Sequence, residues 1–216
     1  MVAGECAKVS GVVAGLSEKE LALPTRCPPW SVKGLLAHMW GDMYMLRAGL
    51  AEPPPAEADT TAVTYWRSYD PIESAPDISG RAQKIADGFA TGSALARSFE
   101  RNWRAGTEAA RRERPDRVIA TWGPALRLDE FLATRVLEIT VHGLDLAEAL
   151  GREPWITPQG ASVTRGILVG LLEREPPRDL GWDDIVFIET GTGRRRLTDA
   201  ERLILGESSA RFPLLG

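Results

Sequence analysis

The sequence has 216 residues, with 26 Lys and Arg against 30 Asp and Glu, and its formal net charge is −4. A chain of this length can bury a core of ordinary size, and its mild acidity disfavours nucleic acid as a partner, because phosphate-binding proteins concentrate basic residues on one face. Neither a basic leader nor an apolar run of the roughly 20 residues that span a membrane is present, and the two cysteines are too few for a disulfide framework, so we expect a cytoplasmic protein.

Three segments of the first third of the chain have clear patterns. Apolar residues recur at helical spacing from Cys6 to Leu16 and predict a short first helix. Ser31 is a good N-cap for a second helix that continues to Leu50. The segment 51–59 contains three consecutive prolines, which cannot continue a helix, and is predicted to be a solvated linker.

The middle of the chain is predicted to hold two further helices. Apolar positions alternate in threes and fours over 78–112, a spacing typical of one long bundle helix. Segment 117–123 indicates a short extended piece. Asp129 is then predicted to cap a helix that continues through Leu150 and stops at Gly151. Four principal helices before residue 152 are enough for a four-helix bundle.

The carboxy-terminal part has a different pattern. Thr157 and Pro158 open a helix, the alternating segment 183–193 predicts a strand, and Thr198 begins a capping box for a last helix ending at Gly206. The sequence therefore predicts a mainly α protein. Its two parts are a four-helix bundle over residues 1–151 and a small α/β extension over residues 152–216.

Ionisable groups interrupt the apolar face of the fourth predicted helix. Glu138, His142 and Asp145 fall on one line of the helical wheel, and large apolar residues flank that line on both sides. A lone carboxylate buried there costs several kcal/mol, so it requires a partner charge. A divalent cation is a sufficient partner. A Glu–His pair that satisfies itself in the core without a metal is the alternative.

The second helix favours the metal. His38 shares an inward face with Leu35 and Asp42, so both histidines of the chain point inward from long helices. Helices two and four can face each other in a bundle. Two histidines and one carboxylate are a common catalytic zinc set that leaves one coordination position open. We therefore predict a divalent metal, zinc before others, on His38, Glu138 and His142.

Two motifs then resemble a known family. The chain is similar to mycothiol-dependent maleylpyruvate isomerase-like proteins, which belong to the DinB-like superfamily of metal-binding four-helix bundles. The residues that carry the resemblance are Thr25-x-Cys27-Pro28-Pro29-Trp30-Ser31-Val32, Leu35-Leu36-Ala37-His38 and Arg135-x-x-Glu138-x-x-x-His142-x-x-Asp145, with Gly151 after the helix. Both motifs lie within residues 1–151.

The resemblance implies the same three metal ligands and a cosubstrate, the actinobacterial thiol mycothiol. It implies an enzyme that adds this thiol to an electrophilic small molecule, with either cis–trans isomerisation or thiol S-transfer as the outcome. The short carboxy-terminal part differs from the larger domain of the isomerase, so the resemblance does not specify the electrophile. Asp145 is the candidate catalytic residue, because it can orient His142 or relay the thiol proton; a surface position is its alternative.

Other interpretations stay open from the sequence alone. A non-catalytic metal-binding or stress-response bundle and a metal-dependent hydrolase fit the same residues. The arginine runs 111–114 and 194–196 are predicted to be solvated, Cys27 to pack, and Trp30 to serve the core. Trp66 is also predicted to serve the core; alternatively, Trp66 and Tyr69, in the predicted loop, line a substrate mouth. No membrane or nucleic-acid partner is expected, and the chain is predicted to be a monomer or a homodimer.

Overall fold

The computed structural model describes residues 1–121 and 123–215, so Trp122 of the predicted extended piece lies outside the described residues. The predicted mainly α class is confirmed, with ten α-helices and one two-stranded sheet in the described part of the chain. The helices and strands are α1 (Val2–Val13), α2 (Glu18–Leu21), α3 (Val32–Ala51), α4 (Ala62–Arg67), α5 (Pro71–Asp87), α6 (Gly92–Ala110), β1 (Val118–Ile119), β2 (Leu126–Arg127), α7 (Leu128–Ala149), α8 (Pro158–Leu172), α9 (Asp184–Gly191) and α10 (Asp199–Leu205).

Four of these helices surround the main core. Helix α1 packs on α6 and α7, and α3 packs on the same two helices, which closes a ring of four. Their inward faces bury apolar side chains such as Leu35, Phe99 and Phe131. Helix α5 lies outside the ring and packs on α3. The antiparallel strands β1 and β2 immediately precede α7.

Several predicted helix ends are confirmed by their caps. The Ser31 hydroxyl accepts a hydrogen bond from the Gly34 amide at the start of α3. Thr157 caps α8 with Pro158 in its first turn, and Thr198 forms the predicted capping box of α10. The prediction that Asp129 caps the helix was wrong, because α7 already begins at Leu128. Asp129 lies in the first turn of α7, where a carboxylate is also favourable.

The single long helix predicted over 78–112 was wrong. The structure divides this region into α5, which begins earlier at Pro71, and α6. Thr91 caps α6, and the Glu18 carboxylate of α2 accepts hydrogen bonds from the amides of Gly92 and Ser93. These two acceptors satisfy a new helix start, which the apolar spacing alone does not reveal. Seven described helices therefore precede residue 152, instead of four.

The strand predicted over 183–193 was also wrong, because this segment forms α9. Asp183 caps the helix by accepting from the Val186 amide at 2.8 Å, and the Thr190 hydroxyl donates to the Val186 carbonyl. Phe187 and Ile188 are buried in a second apolar cluster. Tertiary packing thus overrides the β-propensity of an Ile-Val-Phe-Ile run. The described part of the extension is helical, without the predicted strand.

The second apolar cluster joins the extension to α7. It contains Leu137 and Val141 of α7, Leu168 of α8, Phe187 of α9 and Trp66 of α4. Helix α7 is therefore buried by α1 and α3 on one side and by later helices on the other. The division into units 1–151 and 152–216 stays a prediction. None of the described helices is both long enough and apolar enough to cross a membrane.

Candidate metal centre

Helices α3 and α7 bring the three predicted ligands together. One Glu138 oxygen lies 3.4 Å from His38 Nε2 and 3.1 Å from His142 Nε2, and the three donor atoms all lie within 4.8 Å of one another. The edge of a tetrahedron with zinc at its centre is about 3.3 Å, given bonds of roughly 2.0–2.1 Å. The spacing of these donors therefore suits one small divalent cation.

Asp145 fixes the orientation of His142. The Nδ1 atom of His142 lies 2.8 Å from Asp145 Oδ2, which leaves Nε2 facing Glu138. Burial alone would lower the pKa of His142, but its hydrogen bonds with Asp145, Cys27 and Glu138 hold that pKa well above the ordinary value. The two carboxylates on either side of the ring therefore favour the protonated form of His142.

Glu138 lies between the two imidazoles as an anion. Burial would raise its pKa, but the hydrogen bonds and charges of His142 and His38 hold the pKa of Glu138 well below its usual range. The side chains of all three residues are mostly buried, with 10–15% of their surface exposed. A divalent cation bound to the same three donors would supply the positive charge that this carboxylate requires.

Asp145 is surrounded by hydrogen-bond donors. Arg26 Nε lies 2.7 Å from its Oδ1, Arg194 Nη2 3.0 Å from its Oδ2, and Cys27 Sγ 3.1 Å from the same Oδ2. The side chain has no exposed surface. Burial would raise the pKa of Asp145, but the bonds from His142 and Arg194 hold it far below the ordinary value. Asp145 is therefore a permanent acceptor for His142.

Asp42 occupies the opposite flank, beside His38. Arg135 of α7 donates to its Oδ1, whereas its Oδ2 has no hydrogen-bond partner among the described residues and lies 3.7 Å from His38 Nε2. Burial raises the pKa of Asp42, and the neighbouring Arg135 charge offsets only part of that effect. Arg135 is itself buried, with its guanidinium over the Phe131 ring.

The turn before α3 supplies the next layer of the site. Trp30 stacks on His38, with ring centroids 4.7 Å apart and an interplanar angle of 22°. The Thr25 hydroxyl donates to the Trp30 carbonyl at 2.8 Å and closes the turn. The same turn carries Arg26 and Cys27 to Asp145. The rigid Cys-Pro-Pro-Trp segment therefore contacts both halves of the histidine pair.

A cavity of about 270 Å³ opens on the cluster. His38, Glu138 and His142 form one wall, and Trp66 and Tyr69 form part of another. Trp66, in α4, is buried in the second apolar cluster, as predicted for a core residue. It also lines this cavity together with Tyr69, which is the alternative position. A second cavity of about 60 Å³ lies on the Asp42 side.

Sequence reasoning missed the arginines of the site. Arg194 was predicted to be solvated, but its side chain is 20% exposed and pairs with Asp145. Arg26 was not singled out at all. The sequence gives one indication of these arginines: a buried Asp145 requires a cation beside it. That requirement does not identify which arginine supplies the charge. Arginines 111, 112 and 114 are exposed as predicted.

Comparison with known proteins gives one match. The sequence profile of a family described as "Mycothiol maleylpyruvate isomerase N-terminal domain" matches residues 2–147, more than half of the chain. This span includes both motifs that carry the resemblance, and all four residues of the His38–Glu138–His142–Asp145 group. No curated protein and no solved structure matches the chain.

Proposed function

Because the chain belongs to the mycothiol maleylpyruvate isomerase N-terminal domain family, we propose that it is a mycothiol-dependent metalloenzyme. It adds the thiol to an electrophilic small molecule, either to isomerise a double bond or to transfer the thiol. One observation carries the proposal: the His38–Glu138–His142 donors meet in the wall of a cavity, with Asp145 on the far nitrogen of His142.

The residues present fit a divalent metal, and zinc above others. His38, Glu138 and His142 supply two imidazoles and one carboxylate, a set that zinc enzymes use with a fourth position open. A carboxylate on the second nitrogen of a ligating histidine is the usual support of such sites. When bound, the metal lowers the pKa of a thiol from its usual value near 8.5 and so supplies thiolate near neutrality.

The reaction needs no further cofactor. The thiolate sulfur forms a bond to one carbon of a double bond next to a carbonyl, and the electron pair moves onto the carbonyl oxygen. Rotation about the resulting single bond and loss of the thiolate give the trans isomer. Protonation of the neighbouring carbon by water instead leaves the thioether product of transfer. The thiol proton passes to solvent when the thiolate forms. It returns to the sulfur when the thiol leaves after isomerisation, and it neutralises the hydroxide left by water after transfer.

The surrounding residues hold this arrangement in place. Asp145 is a positioning residue in this proposal, since it touches His142 and lies wholly inside the protein. Its proton-relay role is disfavoured because four other donor contacts keep it ionised. Trp30 covers one face of His38, and limits the access of water to that ligand.

Cobalt substitution tests the proposal directly. With cobalt in the site, mycothiol should produce a sulfur-to-cobalt charge-transfer band, and the loaded protein should consume diethyl maleate only when the thiol is present. The Cys27→Ser variant should keep the band, which shows that the sulfur is that of mycothiol. Glu138→Gln should lose it, whereas Glu148→Gln, an exposed change on the same helix, should not.

A cobalt spectrum that does not change at saturating mycothiol would overturn the proposal that the thiol binds the metal. Metal binding without a thiol band would then favour the non-catalytic protein or the hydrolase. A thiol band without consumption of either diethyl maleate or maleate would overturn the enzymatic part of the proposal.

A further inference from the structure

The cavity beside the three donors is mostly apolar. Its walls away from the donors are formed largely by apolar and aromatic side chains, chiefly Trp30, Trp66, Ile78, Leu137, Val141 and Leu215. Leu137, Val141 and Trp66 are buried members of the second apolar cluster. A volume of about 270 Å³ suits a small molecule, and the walls offer it dispersion contacts in preference to hydrogen bonds.

Only one arginine lines this cavity in the described chain, and most of its donors are already used. Arg194 gives Nε and Nη2 to Asp145, at 3.1 and 3.0 Å, and Nη1 to the Thr192 carbonyl at 2.8 Å. Nη2 also donates to Cys27 Sγ at 3.7 Å. A substrate carboxylate that formed the usual two-point contact with this guanidinium would have to displace either Asp145 or Cys27 from it.

The charges around Arg194 also balance one another. Arg26 and Arg194 face Asp145, and the second amino group of Arg26 lies 3.0 Å from Glu189. Two cations therefore meet two carboxylates. Glu138 and a thiolate add two negative charges, which one divalent cation offsets. Arg135 and Asp42, beside His38, form a further ion pair. With metal and thiolate bound, the charges around the donors would therefore sum to zero and offer no surplus positive charge to an anion.

The neighbouring surface is acidic. An adjoining pocket shares Tyr69 and Ile78 with the cavity, and Asp70, Glu73 and Asp77 line it. Arg81 also lines that pocket and already has a partner. Carboxylates along an entrance lower the local concentration of anions and slow their association.

From these observations we infer that the electrophile of the proposed reaction is a neutral, apolar molecule and that dicarboxylates are discriminated against. The inference rests on the proposed function, and it specifies the substrate class for the same cavity. A charged substrate would lose the hydration of its carboxylates and gain no free cation in return. A neutral ester, amide or ketone with the same double bond would lose little hydration and gain apolar contacts.

A matched pair of substrates tests the inference. Diethyl maleate and maleate share one cis double bond and differ in two negative charges. Each rate is divided by the rate of the same thiol with the same compound in solution, which removes the difference in intrinsic reactivity. We expect this normalised kcat/KM to favour the diester by at least about a hundredfold, because the dianion leaves two charges without partners.

Binding to the metal-free protein gives a second measurement that does not depend on turnover. Diethyl succinate, which cannot react, should change the tryptophan fluorescence saturably, because Trp30 and Trp66 line the cavity. Succinate should leave it unchanged over the same concentrations. The Trp66→Phe variant should reduce the signal without changing this order of preference.

A cation placed in the wall should reverse the preference. Ile78→Lys should raise the normalised kcat/KM for maleate about tenfold relative to Ile78→Met, its neutral control of similar volume. Equal or stronger use of maleate and succinate by the unaltered protein would overturn the inference. If the cobalt band fails as well, the proposed function falls, and the succinate titration still decides the preference of the cavity.

Discussion

Two buried carboxylates flank the histidine pair, and the protein treats them differently. Asp145, beside His142, meets two arginines, one histidine and one thiol. Asp42, beside His38, meets one arginine and keeps one oxygen without a hydrogen bond in the described structure. The pKa of Asp145 is accordingly lowered and the pKa of Asp42 is raised.

The opposite pKa shifts of Asp145 and Asp42 come from their partners and not from burial. Both side chains are almost completely inaccessible, so burial cannot explain the difference between their pKa values. The number of donors explains it, because each hydrogen bond to the ionised form offsets part of the lost hydration. The Asp145 flank is a fixed anion that orients His142, whereas the Asp42 flank keeps unused acceptor capacity beside His38.

The largest expected effect is the loss of bound metal when the histidine of either flank is removed. His38→Ala and His142→Ala should each reduce bound metal from one equivalent to below about a tenth, because two remaining donors hold zinc weakly. Metal content after gel filtration measures this, with circular dichroism to confirm that the helices persist. Full occupancy in the double variant would show that the metal lies elsewhere.

The second prediction compares the two arginine partners. Arg135→Met removes the only arginine that contacts Asp42 and should cost roughly 3–5 kcal/mol of unfolding free energy. Arg194→Met leaves Asp145 with Arg26 and His142, and should cost about 1–2 kcal/mol. Urea unfolding of the metal-free variants measures both. Arg104→Met, at an exposed ion pair, is the control and should cost less than about 0.5 kcal/mol. A larger loss for Arg194→Met would refute the donor-count argument.

The third prediction concerns metal affinity. Asp145→Asn should weaken zinc binding about 10–100-fold, the usual effect of losing the carboxylate behind a ligating histidine. Asp42→Asn should weaken it by less, under about fivefold, since Asp42 Oδ2 lies 3.7 Å from Nε2, the ligating nitrogen of His38, and does not contact the second nitrogen of that ring. Competition with a chromogenic chelator measures both constants. Equal losses would mean that the flanks support their histidines equally.

The smallest effect is a dependence on pH. The ordinary pKa of a histidine is 6.5, and the pKa of His142 is raised above it. In the metal-free protein, this imidazole should therefore stay protonated at pH values above 6.5. Metal must displace that proton, so affinity should rise about tenfold per pH unit until the raised pKa is passed, and then level off. Calorimetry in two buffers of different ionisation enthalpy counts the protons released. Asp145→Asn should shift the levelling to lower pH; an affinity independent of pH near neutrality would contradict the assignment.

The positions of the three donors could be predicted because helical spacing fixes which residues share a face. Glu138 and His142 are one turn apart, and His38 is the only other histidine of the chain. The partners of Asp145 could not be predicted in this way. Arg26 and Arg194 lie 119 and 49 residues from it, so tertiary packing brings them there.

The errors in the fold have a related physical cause. The break before α6 depends on Glu18, a side chain more than 70 residues away in sequence. The helix α9 depends on the burial of Phe187 and Ile188 against the second cluster. In both places the local pattern favoured one structure, and distant contacts stabilised another.

A contact of α1 with the start of α8 affects the order in which the helices pack during synthesis. Glu5 of α1 is 2% exposed, and its carboxylate accepts hydrogen bonds from the amide and hydroxyl of Thr157, at the start of α8. A carboxylate buried without donors is costly. Helix α1 therefore lacks this partner until about 150 more residues have been translated. We expect α3, α6 and α7 to pack together first, and α1 to complete the ring of four helices after α8 has formed.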